Sequence, residues 1–414
     1  MKRTQAFLTH RQSTFLGASL LALTTFSPTV LSDAIAEALT SGTAYGDFRM
    51  RYETVDQDNG LDDAAALTLR SRLGYKTGAA NGFSATIEFE DSRSVAGVDD
   101  YNNTIGNGGE YSVIADPGTT ELDQGFLQYK TDTLTSKLGR QVIKLDNVRF
   151  VGDVGWRQDR QTFDGLSFDY SPLEDLTVKY AYIEQRNRIF AEEKDIDSKD
   201  HLINASYKTA LGTLTGYAYL LEEDTDAELA FDTFGVRLKG ATSTGDIKLM
   251  YTAEFASQEK SSQGAEDLEA DYMLLEGGAV IGGITAKLGY EVLGSDDGNF
   301  GFSTPLATLH AFNGWSDQFL GTPNEGLVDV YASVSGKLAG GKWVVAYHDF
   351  SADEDSDISD DFGDEINISY GKKFGKHYSA GIKYAAYSAD DAANGGAKNY
   401  VDTDKVWVWV GAKF

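Results

Sequence analysis

Residues 67–75 read LTLRSRLGY, and the order of these side chains decides the fold. In an extended chain successive side chains point to opposite sides. Leu67, Leu69, Leu73 and Tyr75 therefore share one face, and Thr68, Arg70 and Arg72 share the other. The same period recurs at 247–255 (IKLMYTAEF), where Ile247, Leu249, Tyr251 and Phe255 oppose Lys248, Thr252 and Glu254. It recurs again at 284–292 (ITAKLGYEV), with Ile284, Leu288, Tyr290 and Val292 in line. One such stretch suits any half-buried sheet. Repetition discriminates: about eighteen segments of roughly ten residues succeed one another, an even number, as in a closed bacterial barrel. They begin near residues 43, 64, 83, 121, 134, 162, 175, 201, 212, 230, 245, 269, 283, 325, 341, 362, 377 and 403.

The connections alternate in length. Short ones lie at 131–133, 171–174, 210–212, 339–341 and 375–376, and long ones at 91–121, 141–161, 187–200, 256–269, 294–325, 351–361 and 388–402. A soluble sandwich has no reason for this alternation, whereas an outer-membrane barrel has short periplasmic turns and long extracellular loops. The expected fold is all-β, a closed transmembrane antiparallel barrel of about 18 strands. The final segment, VWVWVGAKF, puts Val406, Val408, Val410, Ala412 and Phe414 on one face. Its other face carries Trp407 and Trp409, candidates for a stacking track for sugar rings in the lumen. Tyr45, Tyr75, Tyr129, Tyr170, Tyr207, Tyr290 and Tyr384 are expected on the lipid face near strand ends, as an interfacial girdle. A mean hydropathy of -0.32 fits, since only alternate residues meet lipid.

Composition removes other classes. The 414 residues contain no run of about eighteen apolar residues, which excludes a helical membrane protein. The absence of cysteine excludes disulfides, thiolate metal sites and cysteine nucleophiles. A formal net charge of -28 opposes nucleic-acid binding, which needs a basic surface. Lys2, Arg3 and Arg11 followed by the apolar run 15–26 make an export signal. The expected division is a signal peptide at 1–32 and a barrel at 33–414, with cleavage after Ala36 as the alternative.

Acidic residues crowd the long loops: Asp56, Asp58, Asp62 and Asp63; Glu222, Glu223, Asp224 and Asp226; Asp353, Glu354, Asp355, Asp357, Asp360 and Asp361. No compact calcium-loop spacing occurs among them, and solvated loops beside divalent-bridged lipopolysaccharide account for them. No metal or cofactor is called for. The faces assigned to the lumen lean the other way, with Arg49, Arg51, Arg70, Arg72, Lys137, Lys179, Lys208, Arg237, Lys239, Lys248, Lys287 and Lys383 offset in part by Glu88, Glu90, Glu254, Glu291 and Asp329. A basic wall would concentrate anions; mutual pairing of these charges for barrel stability is the alternative.

Residues 139–165, GRQVIKLDNVRFVGDVGWRQDRQTFDG, differ from every other connection. Arg140, Arg149, Arg157 and Arg160 stand among Asp146, Asp153, Asp159 and Trp156. Folded into the lumen, this segment would narrow the pore and present guanidinium forks to carboxylates. It resembles the alginate-export family of outer-membrane porins, through Gly139-Arg140-Gln141, Arg149-Phe150-Val151-Gly152, Trp156-Arg157-Gln158 and Thr162-Phe163-Asp164-Gly165. The opening Gly46-Asp47-Phe48-Arg49 and Arg51-Tyr52-Glu53 are similar too. The resemblance implies a monomeric barrel in outer-membrane lipid that conducts anionic small molecules or oligosaccharides, uronates being the namesake. It also implies that the barrel-assembly machinery reads the terminal Phe414. A general porin and a gated or plugged structural barrel remain open. An enzyme needs an activated serine or a carboxylate–histidine pair; His10, His201, His310, His348 and His377 are scattered without a partner motif.

Overall fold

The computed structural model describes residues 28–225, 229–262, 267–354, 360–390 and 400–414. The expected signal's charged and apolar regions lie outside these, as do Asp226, Asp355 and Asp357 of the acidic loops. Both candidate cleavage points fall in helix α1 (Pro28–Thr40). Its last turn is tied to the barrel, where the Tyr75 hydroxyl donates to the Leu39 carbonyl at 2.5 Å and the Gly78 N–H to that of Ala38 at 2.8 Å. No helix of the described residues is long and apolar enough to cross a membrane, and the crossing is made by strands.

These are β1 (Thr43–Gln57), β2 (Ala64–Lys76), β3 (Phe83–Asp100), β4 (Thr119–Lys130), β5 (Leu134–Gln141), β6 (Thr162–Leu173), β7 (Leu176–Asn187), β8 (Ile196–Thr209), β9 (Gly212–Glu222), β10 (Ala230–Thr244), β11 (Ile247–Ser261), β12 (Leu268–Ile281), β13 (Ile284–Leu293), β14 (Leu327–Leu338), β15 (Gly341–Ser351), β16 (Asp361–Phe374), β17 (Tyr378–Ser388) and β18 (Thr403–Lys413). Each pairs antiparallel with the next, and β1 also pairs with β18 from Asp47↔Lys413 to Gln57↔Thr403, closing an 18-stranded sheet. Three expected loops are shorter than the sequence pattern suggested, because β3 runs on to Asp100, β8 begins at Ile196 and β11 reaches Ser261. Beyond the hydrocarbon a strand no longer needs an apolar face, so backbone pairing outlasts the alternation.

The faces separate as the period requires. Leu73, Phe89, Leu138 and Leu288 are exposed toward lipid, Leu288 to 70%, while Arg51, Arg70, Arg72, Glu88 and Glu90 are buried inside the bore. Tyr129, Tyr170, Tyr207 and Tyr290 are exposed on the lipid side. Tyr45 is a correction: it has the parity of Asp47, Arg49 and Arg51 and pairs with Gly74, so it points into the lumen. An alanine at Gly74 would put its Cβ 2.3 Å from the Tyr45 ring, which leaves glycine the residue that fits beneath it. Just past β18, Phe414 stacks on Phe48 with ring centroids 6.0 Å apart.

The two faces should respond unequally to charge. Leu288→Arg on the lipid side should lower unfolding stability in vesicles by about 2–4 kcal/mol. Ser333→Arg, whose Cα pairs with Lys287 on the lumen side, should change it by less than about 1 kcal/mol. Equal losses in denaturant titrations of the two variants would mean that the faces are misassigned.

Candidate functional site

The outer half of the bore is occupied by two connections, 142–161 between β5 and β6 and 294–326 between β13 and β14. They join each other before they join the wall. Gly152 N–H donates to the Leu306 carbonyl at 2.8 Å and Thr308 N–H to that of Val148 at 3.0 Å, around a parallel bridge between Val151 and Leu306. Gln161 clamps the pair, its side-chain amide donating to the carbonyls of Gly152 (3.0 Å) and Leu306 (3.2 Å). A Cβ at Gly152 would lie 2.2 Å from Thr308 Oγ1, so the close approach needs glycine. Val148 and Val154 take positive φ of 62° and 47°, a sterically costly conformation for β-branched residues that persists where surrounding contacts over-determine it.

Phe150 anchors the first loop. Its ring meets Tyr217 at 5.4 Å and Tyr272 at 5.1 Å on the wall, and Phe302 of the second loop at 5.8 Å. Full burial of a phenylalanine contributes roughly 1.5–3 kcal/mol, and Phe150, partly buried, contributes a share of that. Nearer the outer rim, Phe319 does the same among Phe350 (4.5 Å) and Tyr400 (4.9 Å).

The arginines named from sequence all reach the bore, and most find a carboxylate there. Arg157 bridges Glu53 on β1 (3.0 Å) and Asp317 on the second loop (2.9 Å). Arg160 holds Glu88 and Asp123, both at 2.5 Å. Arg149 pairs with Glu291 at 2.7 Å and donates to Asn313 at 3.0 Å. Arg140 forks onto both oxygens of Asp164, at 2.8 and 3.0 Å. Arg70 pairs with Asp47 at 2.8 Å, Arg72 with Glu90, and Arg51 with Glu53 and Asp116. Arg49 donates instead to the carbonyls of Gly155 (3.2 Å) and Trp156 (2.7 Å) and to Gln158 (3.0 Å). Asp153 takes Lys144 at 2.6 Å. Burial alone would raise the Asp116 carboxyl, but Arg51 and Arg157 outweigh it and hold the group below its usual range. These pairs make the arginines ties between loops and wall.

Beside them lies a cluster that sequence reasoning missed, because its members are far apart in the chain. Lys383 on β17 has its ammonium 3.8 Å from the ring centre of Trp315, 4.4 Å from Trp156 and 5.5 Å from Trp407. It donates to His310 Nε2 at 2.8 Å, and His310 Nδ1 donates in turn to Asp317 at 2.6 Å. Trp156 stacks on the His310 ring at 4.9 Å and 5°. Trp407 is fully buried, which removes it from any stacking track, while Trp409 meets Trp156 edge-on at 5.5 Å. Burial, with Lys383 and Arg157 adding to it against the pull of Asp317, pushes His310 down to about 3. A second pair, His348 with Asp329 at 2.9 Å, sits on the wall. Both of these histidines do have an aspartate, contrary to the absence of a partner motif in the sequence.

Two cavities flank these loops. One of about 440 Å³ is lined by Val55, Phe190, Leu309, Leu320, Gln161 and Arg188 among others. The next, of about 270 Å³, shares Gln161, Arg188, Leu309 and Leu320. Arg188 lies just past the end of β7, its guanidinium 4.9 Å from the Phe190 ring centre and without an ion pair within 4.0 Å among the described residues, while its backbone N–H donates to Asp195 at 2.8 Å and Glu223 lines the smaller cavity. No group of acidic and histidine side chains able to hold a metal occurs among the described residues.

The sequence matches the family described as alginate export over residues 42–290. No curated protein matches it. Among solved structures, OccAB4 of Acinetobacter baumannii superposes with a TM-score of 0.70 at 14% identity, over 91% of this chain and 99% of that one. The outer membrane protein opdK of Pseudomonas aeruginosa gives 0.68 at 13%, over 90% and 98%, and OccK3 of the same organism 0.68 at 13%, over 93% and 98%. At these identities the likeness is one of fold.

The site makes two predictions. Arg157→Leu leaves Asp317 and Glu53 with only Lys405 and Arg51 as cations, and should lower stability to denaturant by about 3 kcal/mol. The His310 contribution depends on pH with a definite sign. Its folded value lies below the usual 6.5, so the stabilisation is full above about 6.5 and is lost as pH falls toward about 3. Tryptophan emission should shift to the red over that window, and His310→Gln should flatten the change; an unchanged titration in the variant would assign it elsewhere.

Proposed function

The chain belongs to the alginate-export family of outer-membrane β-barrels, and from that premise we propose that it is a passive channel for anionic solutes, uronate oligosaccharides or organic acids, narrowed where 142–161 and 294–326 fold into the bore. The observation that carries the anionic reading is Arg188. A guanidinium keeps its proton at any physiological pH, and one without a carboxylate partner is costly to hold in a half-buried place. A solute carboxylate in the larger adjoining cavity, which Glu223 does not line, supplies a direct partner through a forked hydrogen bond. In this reading Arg49, Arg51, Arg70, Arg72, Arg140, Arg149, Arg157 and Arg160, with Asp153 and Trp156, frame the constriction, and the solute contacts what they leave uncompensated.

The channel works without catalysis. In this reading His310 and His348, held by Asp317 and Asp329, serve the packing of the loops and wall. The mature barrel, from residue 33, acts as a monomer placed by the assembly machinery, its acidic loops facing divalent-bridged lipopolysaccharide. A second reading, a plugged structural barrel, is favoured by one observation: Ile143, Leu145, Val151, Phe302 and Leu306 of the inserted loops are buried in a single apolar cluster with wall residues.

Planar-bilayer recording of the refolded protein under a salt gradient decides between them. The channel reading expects discrete conductance with a reversal potential on the anion side, and an anion preference lowered about twofold or more by Arg188→Gln. A cation-side reversal potential would overturn the anionic assignment, and absence of any conductance would favour the plugged barrel.

A further inference from the structure

The lumen face changes character toward the end of the barrel that carries the short turns. Lys76 continues the row of Arg70 and Arg72 on β2, Lys208 that of Asn204 on β8, and Lys239 that of Arg237 on β10. Lys337 and Lys342 face each other across β14 and β15, in line with the buried Asp329 and the partly buried His348. Lys248 completes this side on β11. Unlike the arginines above them, none of these lysines has a carboxylate within 4.0 Å among the described residues. Lys287 and Lys413 do, with Glu276 at 3.0 Å and Asp47 at 2.8 Å. Asp169 on the lumen face and the turn residues Asp132, Glu174, Asp175 and Asp246 offset the ring only in part.

Along the axis the fixed charge is therefore positive at the periplasmic rim, mostly ion-paired through the middle, and negative at the outer loops with Asp56, Asp58, Asp62 and Asp63. Fixed charge on a low-dielectric wall selects the mobile ions beside it, anions at the lysines and cations at the carboxylates. The Debye length is about 10 Å at 0.1 M salt against an apolar band about 25 Å tall, so the two ends act as separate zones. With the outer side positive, anions move outward from the lysine end and cations inward from the acidic end. Both majority carriers then converge on the middle and raise its conductance. The opposite polarity draws both away and depletes it.

We infer that the lysine rim, set against the acidic loops, makes this channel a rectifier that passes current more readily with the outer face positive. The inference rests on the channel reading above in requiring that the bore conduct. It leaves net flux to the gradients, as any passive pore must, and names the periplasmic rim as the anion-selecting end.

The test uses the full barrel, inserted with known orientation in symmetric salt at about 0.1 M, where screening is weak, and again at about 1 M, where the Debye length falls to about 3 Å. Conductance should be about twofold or more greater with the outer side positive at low salt, and near symmetric at high salt. Joint Lys208→Glu, Lys239→Glu, Lys248→Glu and Lys342→Glu substitution of exposed rim residues should abolish or invert the asymmetry. A symmetric wild type at low salt, or an asymmetry indifferent to these changes, overturns the inference. Reversal potential keeps the two claims apart: cation preference with the asymmetry intact sinks the anionic reading alone, and anion preference with symmetric current sinks the rectifier alone. A second measurement does not depend on conduction. The chain has no cysteine, so Ser335→Cys, two residues from Lys337 on the lumen face, is a unique reporter. A negatively charged thiol reagent should modify it about fivefold faster than a positively charged one, with the order reversed in the glutamate variant; equal rates would remove the ring's influence.

Discussion

A backbone in hydrocarbon has no water to bond, so each N–H and C=O that crosses the membrane must find its partner within the chain. The pairing of β1 with β18 meets that demand and governs the rest of the architecture. Without it the sheet has two unpaired edges in lipid. With it, the two faces of each strand become chemically opposite, one facing acyl chains and the other enclosing a bore. The polar half of the sequence has nowhere else to go.

A bore of 18 strands is too wide for inward side chains alone to fill. The two long connections enter it together, each covering backbone groups that the other would leave bare, as the Gly152–Leu306 and Thr308–Val148 hydrogen bonds do. Moving polar residues into a confined space strands charge unless each is matched. The match is made across elements: wall carboxylates Glu53, Glu88 and Glu291 meet loop arginines Arg157, Arg160 and Arg149. These contacts link residues more than 70 positions apart, so they hold the loops to a closed barrel and have no meaning before closure. Lys383 is held differently: aromatic faces and a neutral imidazole receive it where Arg149, Arg157 and Arg160 have carboxylates.

The barrel was legible in the sequence because its cause is local. Alternation and turn spacing place strand starts within a few residues, since each depends on neighbours in the chain. Tyr45 was misplaced because aromatic identity was read ahead of parity with Asp47 and Arg49. The loop 142–161 stood out by its density of arginine and tryptophan. Its partner 294–326 did not, for its contributions are single residues, His310, Trp315 and Asp317, whose meaning comes from strands β1, β17 and β18 that they meet only in three dimensions. The basic lumen face was visible as composition, but not its division into ion-paired cations, such as Arg157 and Lys287, and cations such as Lys208 with no ion pair among the described residues. That division depends on which carboxylates the inserted loops deliver.

A count of lumen charges is thus a poor guide to what such a channel prefers. Arg157 and Lys208 add equally to that count, yet the first is neutralised between Glu53 and Asp317 and acts as a rivet, while the second is exposed and has no ion pair among the described residues. The same distinction explains why a shared barrel at 13–14% identity carries fold and little more. Strand pairing tolerates almost any sequence that alternates, whereas selectivity resides in the residual charge after every loop–wall pair has formed. Two barrels of one architecture can differ in preference by exchanging a single pairing partner, since freeing one arginine and burying one carboxylate changes the field in the bore without disturbing a backbone hydrogen bond.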